Sequence, residues 1–350
     1  MKKSVKILLM ILVGILISVS LSACGKSGDK KTLNVYNWGD YIDPSVIKDF
    51  EKEYNIKVNY STFDTNEDMY VKVKSGGTSY DVLFPSDYII EKMIREDMLL
   101  KLDMNNIPNY KYIDDKFKNL EFDPNNEYSV PYMWGTVGII YNKNMVKEKV
   151  DSWDILWDEK YKGQILMLNS QRDSIAVALL KLGYSMNTRD LNELQEAKEL
   201  LVKQKPLVYA YVGDEVKDMM IGEEAAMAVV WSGDAVFMKE QNENLEYAIP
   251  KEGTNLWFDN IVVPNTSKNK EEAELFINYL CRPEVGLKNT EYIGYSTPNV
   301  ETFKLLPEEL QKDKSAYPED KDLVKTEIFK DPGDFVKEYS RIWTEVLVEE

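Results

Sequence analysis

Short apolar segments alternate with amphipathic segments along the chain from Leu33 onward. In the first part the pattern predicts strand, helix, strand, helix, strand and helix, at residues 33–36, 43–53, 56–62, 66–74, 82–84 and 88–96. Asp43-Pro44 supports the first helix, because it offers an N-cap followed by proline at the first helical position. This alternation predicts an α/β fold built on a mostly parallel sheet.

The alternation resumes after the apolar segment 135–141. It predicts strands at 165–168, 207–211, 225–230 and 256–263, and helices at 152–157, 172–182, 191–204, 215–221, 235–241, 270–280, 283–293 and 334–350. The chain has 350 residues, which is enough for two domains with separate cores. We therefore expect two α/β lobes, each a mostly parallel sheet flanked by helices.

The first residues have the features of an export signal. Lys2, Lys3 and Lys6 precede an apolar run at 7–21, which ends in Leu21-Ser22-Ala23-Cys24. This ending resembles a bacterial lipoprotein signal, so we expect a signal peptide at 1–23, a lipid on Cys24 and a hydrophilic tether at 24–31. An uncleaved anchor helix is the alternative, since the apolar run is only borderline for spanning a bilayer. The first interpretation predicts an exported protein, anchored to the outer face of the bacterial cytoplasmic membrane or on its periplasmic side.

Composition excludes several function classes. The formal charge is −17, and removal of the three signal lysines would make it −20, which disfavours nucleic acid as a partner. The chain has no histidine, which removes histidine-dependent serine or cysteine catalysis and the usual zinc and non-haem iron sites. No metal and no cofactor are expected. Cys281 has no partner for a disulfide once Cys24 carries lipid, and we expect it to be a small buried side chain.

Acidic and aromatic residues follow the predicted strands. In open α/β sheets, ligands bind beyond the carboxyl ends of the strands. The four exits that carry such residues are Trp38-Gly39-Asp40-Tyr41, Pro85-Ser86-Asp87-Tyr88, Asn169-Ser170-Gln171-Arg172-Asp173 and Trp231-Ser232-Gly233-Asp234. Ring faces attract ammonium groups and a carboxylate fixes where that charge lies, so these exits suit an organic cation.

Each residue also has a simpler interpretation. Asp87 and Asp234 stand where helix N-caps belong, and we favour capping over ligand contact for both. Asp173 lies in the first turn of its helix, where a negative charge is favourable in any case. Trp257-Phe258-Asp259 and Tyr295 lie where the lobes are expected to meet, and clefts between domains are common sites for small ligands.

Several separated segments resemble, in the same order, the spermidine/putrescine-binding proteins of bacterial polyamine ABC transporters. They are Asn37-Trp38, Ser86 with Tyr88, Phe122-Asp123-Pro124-Asn125-Asn126, Val130-Pro131-Tyr132-Met133-Trp134-Gly135, Trp257-Phe258-Asp259 and Ile293-Gly294-Tyr295-Ser296-Thr297-Pro298-Asn299. The resemblance implies a two-lobed periplasmic-binding-protein-like fold of type II, with crossing strands at the hinge. Lobe 1 would comprise 32–138 plus 260–304, and lobe 2 would comprise 139–259 plus 305–350.

The resemblance also implies the ligand, the partners and the site. A monomer would close over one polyamine, putrescine or spermidine, and deliver it to the membrane permease subunits of an ABC importer. The channel walls would be Trp38, Tyr41, Trp231, Trp257 and Tyr295. The acids holding the amines would be Asp40, Asp173 and Asp259, with further contacts from Ser86 and Tyr88.

The chain departs from the family pattern at a few acids. Ser170 stands where spermidine binders carry a further acid, and aspartates replace the family's glutamates at Asp40 and Asp173. One fewer carboxylate would leave a third amine without a partner, which favours putrescine over spermidine. Whether Lys330 or Asp87 reaches the ligand stays open.

Two other functions fit part of the pattern. Aromatic faces and carboxylates also bind oligosaccharides, so a sugar-binding protein of an ABC importer is the main alternative. A two-carboxylate glycosidase needs no histidine and is the enzyme alternative; we expect no enzyme. We expect Asp259→Asn and Trp257→Ala to weaken polyamine binding, and Asp234→Asn to act mainly on stability through its cap.

Overall fold

The computed structural model describes residues 31–323 and 325–349. The predicted signal peptide, the predicted lipid site Cys24 and the tether up to residue 30 lie outside the described residues. Within those two ranges, no helix combines the length and the apolar character needed to cross a membrane.

The first lobe begins with alternating strands and helices. In chain order these are β1 (Thr32–Trp38), α1 (Pro44–Tyr54), β2 (Lys57–Phe63), α2 (Asn66–Ser75), β3 (Val82–Leu83) and α3 (Asp87–Arg95). Asp43 caps α1 by accepting a hydrogen bond from the backbone N–H of Ser45, and Pro44 takes the first helical position, where an N–H would have no partner. Val46 and Phe50 of α1 are fully buried in the core beside β1.

The second part of the chain follows short 3₁₀ turns and begins with a strand of 14 residues. Its elements are β4 (Ser129–Asn142), β5 (Ile165–Leu168), α4 (Gln171–Leu182), α5 (Leu191–Gln204), β6 (Val208–Val212), α6 (Val216–Ile221), β7 (Met227–Trp231), α7 (Ser232–Gln241), β8 (Leu245–Ala248) and β9 (Thr254–Val262). The strand β5 is fully buried along its length, as its uninterrupted apolar sequence predicts.

One continuous sheet runs through both lobes, in the order β2-β1-β3-β9-β4-β7-β5-β6. The outer strands on each side pair in parallel, whereas β9 and β4 run antiparallel to each other and to their other neighbours along this path. Opposite pairs in the two central strands include Trp134 with Phe258 and Gly135 with Trp257. These two long strands are the crossing strands that connect the lobes, so β9 carries residues from one lobe directly into the other.

The rest of the chain returns to each lobe in turn. Its elements are α8 (Lys270–Leu280), α9 (Pro283–Ile293), α10 (Val300–Leu305), α11 (Glu308–Lys312), β10 (Thr326–Glu327) and α12 (Val336–Val348). Phe276 of α8 lies edge-on to Phe50, with ring centroids 4.8 Å apart, in the first lobe. Tyr339 and Ile342 of α12 pack with α4 and α5 in the second lobe. Each lobe is therefore discontinuous in sequence, whereas the exact boundaries stay a prediction.

Cys281, directly after α8, is a buried free thiol, which confirms the sequence prediction for its packing. Burial raises the pKa of the thiol to about 12. The side chain thus belongs to the core and is a poor nucleophile at neutral pH.

Candidate functional site

The Asp259 carboxylate is the centre of the site. Asp259 lies on β9 and is only 6% exposed. Its Oδ2 accepts a hydrogen bond from the Tyr41 hydroxyl at 2.6 Å, and its Oδ1 accepts one from the Ser86 hydroxyl at 2.6 Å. Burial raises the pKa of Asp259 to about 6, against the pull of these two donors. Among the described residues, no lysine or arginine forms an ion pair with it, so the carboxylate is buried without a countercharge.

Neighbouring groups orient both hydroxyl donors. The Asn66 amide donates to the Ser86 oxygen at 3.0 Å, which leaves the Ser86 hydrogen to point at Asp259. Tyr41 is 4% exposed, and its ring lies edge-on to the ring of Tyr132 at 5.6 Å. Since β1 and β3 are adjacent parallel strands, their carboxyl ends bring Tyr41 and Ser86 to the same edge of the sheet.

Aromatic rings form a wall beside this carboxylate. The ring of Tyr295 lies 5.5 Å from Tyr41 and 5.1 Å from Trp257, edge-on in both cases. Two glycines make room for the wall. A Cβ on Gly233 would fall 1.1 Å from the Tyr295 ring, and a Cβ on Gly135 would fall 2.5 Å from the Trp257 ring. Any larger residue at either position would therefore displace a predicted ligand-binding ring.

Asp173 provides a second buried carboxylate. It lies in the first turn of α4 and is 8% exposed. The Ser170 hydroxyl donates to its Oδ2 at 2.7 Å, while its Oδ1 has no hydrogen-bond partner among the described residues. Burial raises the pKa of Asp173. The Oδ1 is a buried acceptor that keeps capacity for an N–H donor, with the Asn255 side chain close enough to act against the rise in the pKa of Asp173. Ser170 thus donates a hydrogen bond directly to Asp173, a role that the family resemblance did not indicate.

The capping role predicted for Asp234 is wrong. The helix α7 starts directly from β7, so its N-cap is Trp231 and Asp234 is already its third residue. Asp234 is 7% exposed, accepts a hydrogen bond from the Tyr295 hydroxyl at 3.3 Å, and lies 4.0 Å from the Lys217 ammonium. Burial raises the pKa of Asp234 to about 6. Its carboxylate therefore belongs with the site, through Tyr295, rather than with the end of its own helix.

The capping role predicted for Asp87 is also wrong. Ser86 holds the N-cap position of α3 without a side-chain cap, and its hydroxyl goes to Asp259 instead. The Asp87 carboxylate is completely buried and accepts backbone N–H groups from Tyr88 at 2.7 Å and from Phe258 at 3.0 Å. Asp87 thereby fixes α3 to the crossing strand β9.

The structure separates the ten residues predicted to bind the ligand into two groups. The first is connected by direct contacts around Asp259 and contains Tyr41, Ser86, Trp257, Asp259 and Tyr295. The second stands outside that connected group and contains Trp38, Asp40, Tyr88, Asp173 and Trp231. Contact with a ligand stays a prediction for all ten.

Trp38 and Asp40 lie at the end of β1. Trp38 donates from its indole N–H to the backbone oxygen of Phe84 at 2.8 Å, and its ring packs on Phe63 at 4.5 Å. Trp38 therefore contributes to packing, and because it is only half-buried, part of its surface stays exposed. Asp40 is exposed and Trp231 is half-buried. Each of these three side chains therefore remains at least partly accessible to solvent.

Tyr88 belongs to a cluster that the sequence did not predict. The guanidinium of Arg172 is buried between the rings of Phe329, Tyr339 and Tyr88, at 4.4, 5.0 and 5.4 Å from their centroids. The Tyr88 hydroxyl donates to Glu67 at 3.1 Å. Arg172 is thus a structural cation that holds the segment around Phe329 against the first lobe. Lys330 in that segment points away to an ion pair with Glu121.

Lys217 is a second residue that the sequence analysis missed. It lies in α6 and forms ion pairs with Asp214 at 3.6 Å and with Asp234 at 4.0 Å. Gly213-Asp214 directly follows β6, so this is a fifth strand exit with an acidic residue. Inspection of that exit would have found the signal. No group of three or more potential metal ligands occurs among the described residues.

Known proteins are similar to this chain in sequence and in fold. Residues 45–318 match the family described as bacterial extracellular solute-binding protein. The chain is 40% identical to the spermidine/putrescine-binding periplasmic protein of Salmonella typhimurium over 320 residues, covering 91% of this chain and 92% of that protein.

Two solved structures have the same fold. The spermidine/putrescine ABC transporter substrate-binding protein PotD from Streptococcus pneumoniae superposes with a TM-score of 0.80 at 45% identity, covering 91% of this chain and 98% of that one. The TpPotD lipoprotein of Treponema pallidum gives 0.81 at 27% identity, covering 90% and 99%. The family description names solute binding and no reaction. The two-lobed fold and these matches together establish that the chain belongs to the bacterial extracellular solute-binding protein family.

Proposed function

We propose that this protein captures a polyamine, putrescine or spermidine, between its lobes and delivers it to an ABC importer. The observation that carries the proposal is Asp259, a carboxylate that is 6% exposed, receives two hydroxyl hydrogen bonds and has no cationic partner among the described residues. A buried anion without a countercharge is costly, and an ammonium group from the ligand removes that cost.

The rest of the site suits the remaining chemistry of a polyamine. Such a ligand carries ammonium groups separated by methylene chains. Asp173 offers a second buried carboxylate whose Oδ1 has no hydrogen-bond partner among the described residues, and the contacting rings of Trp257 and Tyr295 offer apolar surface. Ammonium groups would bind the carboxylates and methylenes would lie along the rings.

A sugar would serve this site less well. Sugar hydroxyls can donate to Asp259 and Asp173, yet they would bring no positive charge to two buried carboxylates. Burial raises the pKa of both groups, and Asp259 already accepts two neutral donors, so an ammonium group would offset the cost of the buried charge more than a further hydroxyl would. The relatives support the same choice, because their names specify spermidine and putrescine.

Location and partners complete the proposal. We infer that Cys24 carries lipid and holds a monomer at the outer surface of the membrane, where permease subunits receive the solute. The signal-like sequence at 1–24 supports this, and the Treponema pallidum relative is named a lipoprotein. Cys24→Ala should release the protein from the membrane fraction, as measured by cell fractionation. Retention of Cys24→Ala on membranes would contradict lipid anchoring.

The test is calorimetric titration of the mature chain with putrescine, cadaverine, spermidine and spermine, with maltose as the sugar control. We expect polyamines to bind and maltose to give no heat of binding. Binding of maltose alone would overturn the proposal. Incubation with chromogenic glycosides should release no product, which separates a binding protein from a glycosidase.

A further inference from the structure

The site contains a cation of its own. The Lys217 ammonium lies 3.6 Å from Asp214 and 4.0 Å from Asp234, and the side chain is 20% exposed. Burial acts to lower the pKa of Lys217, but surrounding carboxylates outweigh it and raise that pKa, so the side chain remains an ammonium ion. The carboxylates concerned are those of Asp234, Asp214 and Asp40.

These acids come from both lobes. Asp40 follows β1 in the first lobe, while Asp214 and Asp234 follow β6 and β7 in the second. Lys217 therefore provides positive charge among acids that follow strands of both lobes. A protonated amine of the ligand would be attracted to the same place by the same carboxylates.

Direct contacts connect these acids to Asp259. Asp234 accepts the Tyr295 hydroxyl, the Tyr295 ring lies against Tyr41, and the Tyr41 hydroxyl donates to Asp259. Three successive side-chain contacts thus join Asp234 to Asp259. Asp234 has a resident ammonium, whereas Asp259 has none among the described residues.

The buried carboxylates therefore differ in what they still require. Asp259 and Asp173 have no ion pair with a lysine or arginine in the described part of the chain, while Asp234 has one with Lys217. Two buried anionic positions remain for ligand ammonium groups. A diamine supplies two, and a triamine would bring a third into the region that Lys217 already neutralises.

We propose that Lys217 determines ligand length, occupying the position of a third ligand ammonium and thereby selecting diamines over triamines. The proposal rests on the proposed polyamine function and adds a specificity-determining residue to it. A triamine would have to displace Lys217 or place its third ammonium beside it, and both cost free energy through lost attraction or like-charge repulsion.

The experiment compares putrescine and spermidine by calorimetry on the mature chain and on Lys217→Met, which keeps the length of the side chain and removes its charge. We expect the wild type to bind putrescine tighter, on the order of tenfold. In Lys217→Met, spermidine affinity should rise about tenfold or more while putrescine affinity stays within about threefold. Lys217→Arg should keep the wild-type preference.

Lys239→Met is the matched control. Lys239 is 21% exposed and pairs with two acids, Asp313 at 3.1 Å and Glu246 at 3.5 Å, so its removal changes the net charge equally. The Lys239→Met protein should show the same preference between putrescine and spermidine as the wild type. Thermal unfolding shows whether each variant is folded, and Lys217→Gln provides a second neutral variant.

The outcomes separate this proposal from the function on which it rests. If the wild type binds neither ligand, the polyamine function is wrong and the role of Lys217 falls with it. If the wild type binds polyamines but the folded Lys217 variants keep its spermidine-to-putrescine ratio, only the role of Lys217 is wrong. A change of equal size in Lys239→Met would also overturn it, because overall charge would then explain the effect.

Discussion

Asp87 and Asp259 are two buried carboxylates at the same junction between α3 and β9, yet their surroundings differ in kind. Asp87 is completely buried and accepts two backbone N–H groups, one of them from Phe258, the residue next to Asp259. Asp259 retains 6% exposure and accepts two side-chain hydroxyls. Burial raises the pKa of both.

The difference indicates that Asp87 has a structural role and that Asp259 is left for a ligand. Backbone N–H groups are fixed by the path of the chain, so Asp87 holds two elements together and its loss would leave two buried donors unpaired. Hydroxyl donors can rotate and adjust, and a carboxylate accepts more hydrogen bonds than the two that Asp259 receives from the protein. Asp259 therefore keeps acceptor capacity for an ammonium group.

Removing the charge of Asp259 should have the largest effect. Asp259→Asn should lower putrescine affinity by about 100-fold or more, because truncating one partner of a buried charge pair costs on the order of 3 kcal/mol. The ligand-free protein should unfold at the wild-type temperature or higher, since an ionised group with a raised pKa opposes folding at neutral pH. Calorimetry and thermal unfolding check both parts. Unchanged affinity would remove Asp259 from the site.

The converse variant is Asp87→Ala. It should lower the free energy of unfolding by about 2–4 kcal/mol, because the N–H groups of Tyr88 and Phe258 lose their acceptor. Putrescine affinity of the folded protein should stay within about threefold. Urea unfolding with calorimetry in the cold measures the two quantities. A stable Asp87→Ala protein that fails to bind putrescine would reverse the assignment of the two acids.

Putrescine affinity should depend on pH through the Asp259 carboxyl. The pKa of this carboxyl is raised to about 6 in the free protein, and a bound ammonium favours its ionised form, so binding below that pH must release a proton. Putrescine affinity should be level above about pH 7 and fall by up to about tenfold per pH unit below 6. Burial raises the pKa of Asp234 to about 6 as well. Putrescine titrations of the wild type and of Asp234→Asn from acid to neutral pH therefore show which of the two carboxyls causes the pH dependence. Equal putrescine affinity at acid and neutral pH would contradict the role of Asp259.

The smallest effect is expected from one hydroxyl donor. Ser86→Ala removes one of the two hydrogen bonds to Asp259 without removing charge, which corresponds to about 1 kcal/mol or roughly fivefold in putrescine affinity. Calorimetry measures the change, and Ser45→Ala, which alters a half-buried position in α1, is the control. A loss as large as that of Asp259→Asn would mean that Ser86 contacts the ligand more directly than its geometry indicates.

Most of the fold followed from the periodicity of the sequence. The predicted helix at 191–204 coincides with α5, and the predicted signals at Asp43-Pro44 mark the start of α1. The 14-residue strand β4 was indicated only as the apolar segment 135–141, and the helix predicted at 152–157 is a 3₁₀ segment at Trp153–Trp157. Other missed elements are short: β8 has four residues, β10 has two, and the turns between 104 and 117 are 3₁₀ pieces. Such segments span too few residues to show a period.

The sequence predicted which strand ends contribute residues to the site, but it did not predict the hydrogen bonds that connect those residues. Tyr41 and Ser86 were named as ligand-binding residues, but their hydrogen bonds to Asp259 span 218 and 173 positions, which no local pattern encodes. Asp234 was misassigned because helix α7 begins without a connecting turn, which moves Asp234 inside the first turn. Lys217 was not predicted because the interpretation of the strand ends rested on acids and aromatic rings, and Lys217 is a cation within a helix.

The burial of Cys281 also makes the protein suitable as an optical sensor. A mature form that starts after Cys24 contains a single thiol, and that thiol is enclosed in the core with a pKa near 12. A cysteine introduced at an exposed position such as Lys330 would then be the one thiol able to react with a fluorescent dye. Solute capture could be followed in real time through that single label, without first replacing a native residue.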